Sequence, residues 1–481
     1  MLNSSEAKIR KAHPYYSIPG DDGLPLLGHS FELLTNLRGL FQRQHRRYGP
    51  VFRMNLVFER SVVLLGPDMV QTVLIDSAKN FSSAKGYEKV FGQLFSRCIM
   101  MQDFDDHAFM RQLLMPAFKR TGMEGYLTRM RPIIQQAVGS WSQQRNFYFY
   151  PSIRELALTL ATTAFFGLEL GPDLRRVNGL LLDLLNATLA FVRKPIPGLA
   201  YARGLKARRT LSDYLMTVIP EKRENPSWDM LSQLCAARTE DGAQFSDQDV
   251  IDHMSFMIIA AFDSTTSTLA SMAHALAVYP EWQERLREES RALSDEIPSF
   301  EELRTLKSAD LVMKETLRLY GPTVMIPRQS LNDFEVHGLN IPARTTVWLS
   351  PDFSHHMPEW WSNPQKFDPE RFNEERNENK RHRFSFTPFG VGAHVCLGIN
   401  FADLMVKSMM HQILLTYRLH LPSANYQVKF KLLPTAKPAD DLPLILEPLR
   451  VAKPHSVAID FSHPVTDELQ GNVCPYASVR T

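Results

Sequence analysis

Cysteine is scarce in this chain. Its 481 residues hold four, Cys98, Cys235, Cys396 and Cys474, far apart and with no Cys-x-x-Cys pair. That spacing disfavours a zinc site and a disulfide framework, and it points to a reducing compartment. Net charge is nearly absent as well: a formal +2 gives no field strong enough to argue for nucleic acid. The chain does not open on an apolar run. Met1 to His13 is polar and charged, so neither a signal peptide nor a membrane anchor is read there, and a soluble, cytoplasmic monomer is expected. Internal repeats, a domain linker and a flavin fingerprint are also missing. With 44% hydrophobic residues the chain can still bury a large core, and length alone would permit two or more domains.

The stretch that organises the rest is Phe389-Gly390-Val391-Gly392-Ala393-His394-Val395-Cys396-Leu397-Gly398. A cysteine picked at random is best read as a buried structural residue. Here it stands among glycines, which allow close approach and positive φ, and beside a histidine. Such a loop suits an axial thiolate under the flat ring of a haem, with the N–H groups of Leu397 and Gly398 free to donate to the sulfur and Phe389 shielding it.

Further features lie along the chain. Pro14 to Pro25 reads as an irregular lead-in, Phe31 to Tyr48 as a helix, and Val51 to Leu65 as a hairpin. Phe81 to Phe95, with Gly86 and Gly92 among aromatics, reads as a mobile loop over a pocket. His107 and Arg111 share one face of a helix opening at Asp105. Val177–Phe191 and Leu205–Val218 read as amphipathic helices. Their connector is apolar and flanked by Lys194, Arg203, Lys206, Arg208 and Arg209, which suits a lid or weak contact with an anionic membrane. Ser246 with Asp249 makes a capping-box-like start to a helix running to Pro280, apolar nearly all round from Met254 to Phe262. In its middle stand Asp263, Ser264, Thr265 and Thr266, polar groups whose burial costs about 1 to 3 kcal/mol each if unpaired. Leu303 to Tyr320 is another helix, with Glu315 and Arg318 three apart. The run Arg376, Lys380, Arg381, His382, Arg383 reads as a solvated basic loop able to steer an acidic electron donor.

The cysteine stretch resembles the haem-binding motif Phe-x-x-Gly-x-His/Arg-x-Cys-x-Gly of the cytochrome P450 superfamily at every defining position. The likeness runs in motif order from Pro14 to Leu449 and most resembles the soluble bacterial type. It implies a mainly α fold, a multihelical prism with a small β-rich subdomain. The expected division is a lead-in over 1–30, one catalytic domain over 31–450 and a polar tail over 451–481.

It also implies site roles. Cys396 would ligate the iron of haem b, iron protoporphyrin IX, with Phe389 and Gly398 beside it. His107, Arg111, Arg328 and His394 would meet the haem propionates. Glu315, Arg318 and Arg371 would form a buried network fixing the cysteine loop. Ala260-Ala261-Phe262-Asp263-Ser264-Thr265 resembles the oxygen-binding segment, with Asp263, Ser264 and Thr265 as catalytic candidates. Two departures stand out: Ala261 replaces the usual glycine and Ser264 the usual threonine, so proton delivery with looser coupling is expected. Phe256, Ile259, Ala260, Val324 and Met325 are expected to face substrate.

The implied activity is insertion of one oxygen atom from O2 into a lipophilic molecule: a fatty acid, steroid or terpenoid. Phe262 stands where the sterol demethylase branch has histidine. After Cys396, three cysteines remain, too few for a four-thiolate iron–sulfur cluster. Electrons from NAD(P)H would therefore come through a separate ferredoxin, flavodoxin or flavoprotein reductase. The rival readings are a peroxide-driven or isomerising haem-thiolate enzyme and a non-catalytic haem carrier or sensor.

Overall fold

The computed structural model describes residues 14–57, 59–144, 146–293 and 298–449. The expected tail, 451–481, and most of the lead-in's first half lie outside them.

The expected first helix is two. Residues 30–35 form one short turn and α1 (Leu37–Tyr48) the other, divided at Asn36, whose side-chain oxygen accepts from the Gly39 amide at 3.2 Å. Antiparallel strands β1 (Val51–Leu56) and β2 (Glu59–Leu64) follow as the alternation predicts. Strand β3 (Phe81–Ser82) leads straight into α2 (Ser83–Phe91), so the stretch expected to be a mobile loop is mostly helical. The Ser82 hydroxyl caps it by accepting from the Lys85 amide at 2.9 Å. Gly86 lets it close on a neighbouring strand, since a Cβ there would stand 2.8 Å from the Arg328 Cα.

Next come α3 (Phe104–Leu114), α4 (Arg120–Ser140), α5 (Phe149–Phe166), α6 (Pro172–Thr188) and α7 (Ala200–Glu224). Helix α8 (Asp247–Val278) is about 48 Å long at 1.5 Å per residue. Ser246 and Asp249 cap each other's backbone at its start, and Pro280 stands just past its end. It packs on α5, on α9 (Lys307–Tyr320) and on α11 (Ile399–Thr416). The short α10 (Pro351–His355) lies between the last two in sequence.

Strands β4 (Ile326–Ser330) and β7 (Thr346–Leu349) complete one mixed sheet in the order β1-β2-β7-β4-β3, while β5 (Phe334–Val336) and β6 (Leu339–Ile341) pair apart. Among the described residues only the β2–β7 pair is parallel. The sheet carries Arg328 opposite Val347. One face buries Val62, Leu64, Val347 and Leu349, and the other Phe52, Val63, Val324 and Met325. The protein is thus mainly helical, with strands before and after the helical middle of the chain joined in small sheets. Among the described residues no helix is long and apolar enough to cross a membrane.

Candidate active site

The cysteine loop is closed by its own backbone. The Cys396 N–H donates to the Phe389 carbonyl at 2.9 Å, and the Gly390 N–H donates to that of Thr387 at 3.0 Å. Gly392 has φ +73°, and a Cβ on it would lie 1.9 Å from the Leu74 carbonyl oxygen, so no side chain fits there. Surrounding protein pushes the Cys396 thiol up from its ordinary value, although part of its surface faces open space. The Gly398 amide donating to sulfur, and then Arg111, act against that rise.

Four basic residues from three separate stretches meet beside this loop. The rings of His107 on α3 and His394 stand 3.8 Å apart, centre to centre. Arg111, one turn on, donates to the Val395 carbonyl at 2.7 Å. Arg328, on β4, is buried; it donates to the Pro327 carbonyl at 2.8 Å and to the Tyr87 phenol. Burial first, then Arg111 and Arg328, lower His107 to about 4, with Asp103 opposing. His394 is pushed down further by burial, Arg328, His107 and Arg111, with no opposing carboxylate. These groups repel one another's protons, so a dianion placed among them would gain charge-assisted hydrogen bonds from several sides. A sulfur donor in a glycine loop beside a dianion cradle matches the chemistry of a haem and its two propionates. Tyr87 was not legible as part of this cluster, because only folding of α2 brings it to Arg328.

The middle of α8 presents a narrow open stripe. Phe256, Ala261, Asp263 and Ser264 are half-buried and Ala260 is exposed, while the residues beyond are buried. Phe256, Ala260 and Ser264 follow at intervals of four and share a face. The Ser264 hydroxyl donates to the Ala260 carbonyl at 2.7 Å and Thr268 to that of Ser264 at 3.0 Å, the back-bonding that loosens a helix locally. The Asp263 carboxylate accepts from the Thr435 hydroxyl at 2.7 Å, a partner 172 residues away that sequence spacing could not reveal. Thr265, 2% exposed, turns away from the stripe, and Ile259 is nearly covered.

An aromatic wall adjoins the stripe. Phe256 packs edge-on against Phe91 at 5.4 Å and Phe95 at 5.9 Å, and Tyr87 stacks on Phe91 at 5.4 Å. Val324 and Met325, expected to line the pocket, are instead packed beneath the sheet with Leu40, Phe41 and Phe52. The Val324 carbonyl is fixed there by the Ser350 hydroxyl at 2.9 Å, which turns this extended segment inward.

Glu315, Arg318 and Arg371 are fully buried and joined. Arg318 grips both Glu315 oxygens at 2.7 and 2.9 Å, and Arg371 donates to one of them at 3.0 Å. The network is larger than the sequence suggests: Arg371 also donates to Glu378 at 2.8 Å, and Arg376 to the same carboxylate at 2.6 Å. Arg376 also pairs with Asp368, while His382 reaches Asp68. The basic run is therefore partly neutralised, leaving Lys380 and Arg383 exposed without such partners among the described residues.

Comparisons with known proteins agree with this geometry. The family profile described as Cytochrome P450 matches residues 18–438. The Mycobacterium tuberculosis protein named cytochrome P450 136 is 38% identical over 436 residues, 90% of this chain and 88% of that one. Cyclooctat-9-en-7-ol 5-monooxygenase of Streptomyces melanosporofaciens is 29% identical, covering 80% of this chain and 85% of its own. Taxane 10-beta-hydroxylase of Taxus cuspidata is 28% identical over 84% of each. A solved structure, the retinoic acid-bound cyanobacterial CYP120A1, superposes with a TM-score of 0.80 at 24% identity over 90% of this chain and 99% of that one. The chain belongs to the cytochrome P450 family, haem b-dependent monooxygenases that use O2 and receive electrons from NAD(P)H through redox partners.

Proposed function

We propose that this chain hydroxylates a terpenoid, with Cys396 as the residue whose sulfur would hold the haem iron. The observation that carries the site is the meeting of His107, Arg111, Arg328 and His394 beside the cysteine loop, a cradle for two propionates. When bound, thiolate-ligated haem supplies O–O cleavage and oxygen insertion. The chain's residues do the rest. The loop glycines admit the ring, and the Gly398 N–H holds negative charge on sulfur. Phe91 and Phe256, backed by the buried Phe95, exclude water from the stripe and offer flat apolar surface to a substrate. Ala260 leaves room at the stripe's centre. Asp263, reached by Thr435, and Ser264 hold and pass protons at their side-chain oxygens.

Relatives named for taxane, cyclooctat-9-en-7-ol and abscisic acid oxidation favour a terpenoid over a fatty acid or steroid. We also place one catalytic domain over 31–450, joined by the described part of the lead-in, whose Tyr15 and Ile18 pack into its core, with 451–481 as a polar tail. The protein works as a cytoplasmic monomer with at most weak peripheral membrane contact, and Lys380 and Arg383 steer an acidic ferredoxin, flavodoxin or flavoprotein donor. A retained acid and hydroxyl on α8 speak against a peroxide-driven or isomerising activity, which needs no proton relay.

A spectral titration tests the substrate reading. Among hydrophobic compounds, cyclic terpenoids should give a substrate-type shift of the haem band at micromolar concentration, whereas fatty acids and steroids should not. Shifts from fatty acids or steroids alone would overturn it. The relay has its own test. Replacing Ser264 by Ala should lower the fraction of consumed NAD(P)H recovered as product by about 2- to 10-fold, with consumption itself little changed. Unchanged coupling would remove Ser264 from proton transfer.

A further inference from the structure

We propose that His355 is a positioning residue for the cysteine loop, a strut that ties the backbone ahead of Cys396 to the buried Glu315–Arg318 pair. The inference rests on Cys396 as haem ligand and extends it to a residue outside the loop and outside the network. Each link is a directed hydrogen bond. Arg318, locked on Glu315, donates through Nη1 to the His355 carbonyl at 2.8 Å. The His355 imidazole in turn accepts, at Nε2, the Thr387 N–H at 3.1 Å. The Thr387 carbonyl accepts from Gly390 at 3.0 Å, and the Phe389 carbonyl accepts from Cys396 at 2.9 Å. One unbroken path therefore runs from a fully buried ion pair to the amide of the cysteine.

His355 suits this task physically. It closes α10 and is 3% exposed, so its ring has little freedom. The ring lies 5.3 Å from that of Phe386, beside the amide it receives. Burial, aided by His356, Arg318 and Arg38 and opposed by Asp352, drives its pKa down to about 3. The imidazole thus stays neutral, and accepting at Nε2 places its proton on Nδ1. Few other groups are available to hold this stretch. The Thr387 hydroxyl oxygen is buried without a partner, and Pro388 brings no N–H. A buried amide that lost His355 would be left unpaired on the residue whose carbonyl starts the loop.

The test uses the haem-loaded full chain and two variants. His355→Phe keeps a ring against Phe386 but offers no acceptor. His355→Gln places an amide oxygen as many bonds from Cβ as Nε2. The readouts are amide hydrogen exchange along 387–396 and the fraction of the ferrous carbonyl complex in the thiolate-bound band. His355→Phe should speed exchange at Thr387 and Gly390 by about tenfold or more, leave α8 protected, and lower the thiolate-bound fraction. His355→Gln should restore both. If His355→Phe does not accumulate, His355→Asn, whose amide falls one bond short, takes its place with the same expectation. Loop exchange equal to the unmodified protein, acceleration shared equally by α8, or no rescue by Gln would each overturn the proposal. Cys396→Ser in the same series reports separately on the ligand: a surviving thiolate-bound band there would refute the haem–sulfur assignment and not the strut.

Discussion

Replacing Glu315 by Gln should leave a protein that does not retain haem and unfolds at markedly lower temperature. Glu315 is fully buried and receives both Arg318 and Arg371, as well as the Asp368 amide at 2.8 Å. Gln keeps one acceptor oxygen and turns the other into a donor facing a guanidinium. Two buried positive charges would then share half their partner. Breaking a buried pair on one side costs about 3 to 5 kcal/mol, a large part of the roughly 5 to 15 kcal/mol that holds a folded domain together. The other partners limit the collapse: Arg371 still reaches Glu378, and Arg318 still reaches the carbonyls of His355 and Pro364. Damage should therefore concentrate between α9 and the cysteine loop. Haem absorbance per mole of protein and the thermal midpoint measure it. The exposed Arg120–Glu124 pair is the control, because surface ion pairs of that kind add little, and Arg120→Ala should leave both readings unchanged. A Glu315→Gln protein with full haem content would contradict the network's role.

Much of this site was visible in the chain before folding, and the reason is local geometry. Gly390, Gly392 and Cys396 lie within seven positions, so backbone closure and close approach can be read from one stretch. His107 and Arg111 share a helix face by periodicity. Ser246 and Asp249 announce α8 by reciprocal capping. Helix α2 was hidden because its cap, Ser82, is itself the second residue of a two-residue strand and its glycine serves contact with β4 and not flexibility. Val324 and Met325 were misplaced because an apolar extended segment has two faces, and the Ser350 bond that selects the inward one comes from 26 residues away. Glu378 was hidden within a basic run whose net sign masked one buried acid. Thr435 and His355 act on partners 172 and 32 residues distant, a relation that no spacing rule encodes.

The second large effect concerns the sulfur itself. Cys98 and Cys235 are buried, with thiols pushed up by desolvation to about 12 and about 11 and no glycine loop around them, so neither competes for the role. At Cys396 burial also favours the neutral thiol, yet the Gly398 amide and Arg111 are in place to support a thiolate, and an iron ion would complete the deprotonation. Serine occupies nearly the same volume and keeps the backbone bond to Phe389, so Cys396→Ser removes the soft donor while sparing the fold. The basic cradle of His107, Arg111, Arg328 and His394 is untouched by that change, and some haem should still bind. The decisive measurement is the reduced carbon monoxide difference spectrum of Cys396→Ser beside that of the unmodified protein. The unmodified protein should show the thiolate-bound band and the variant should lack it entirely; the same band in both would contradict the account at its centre.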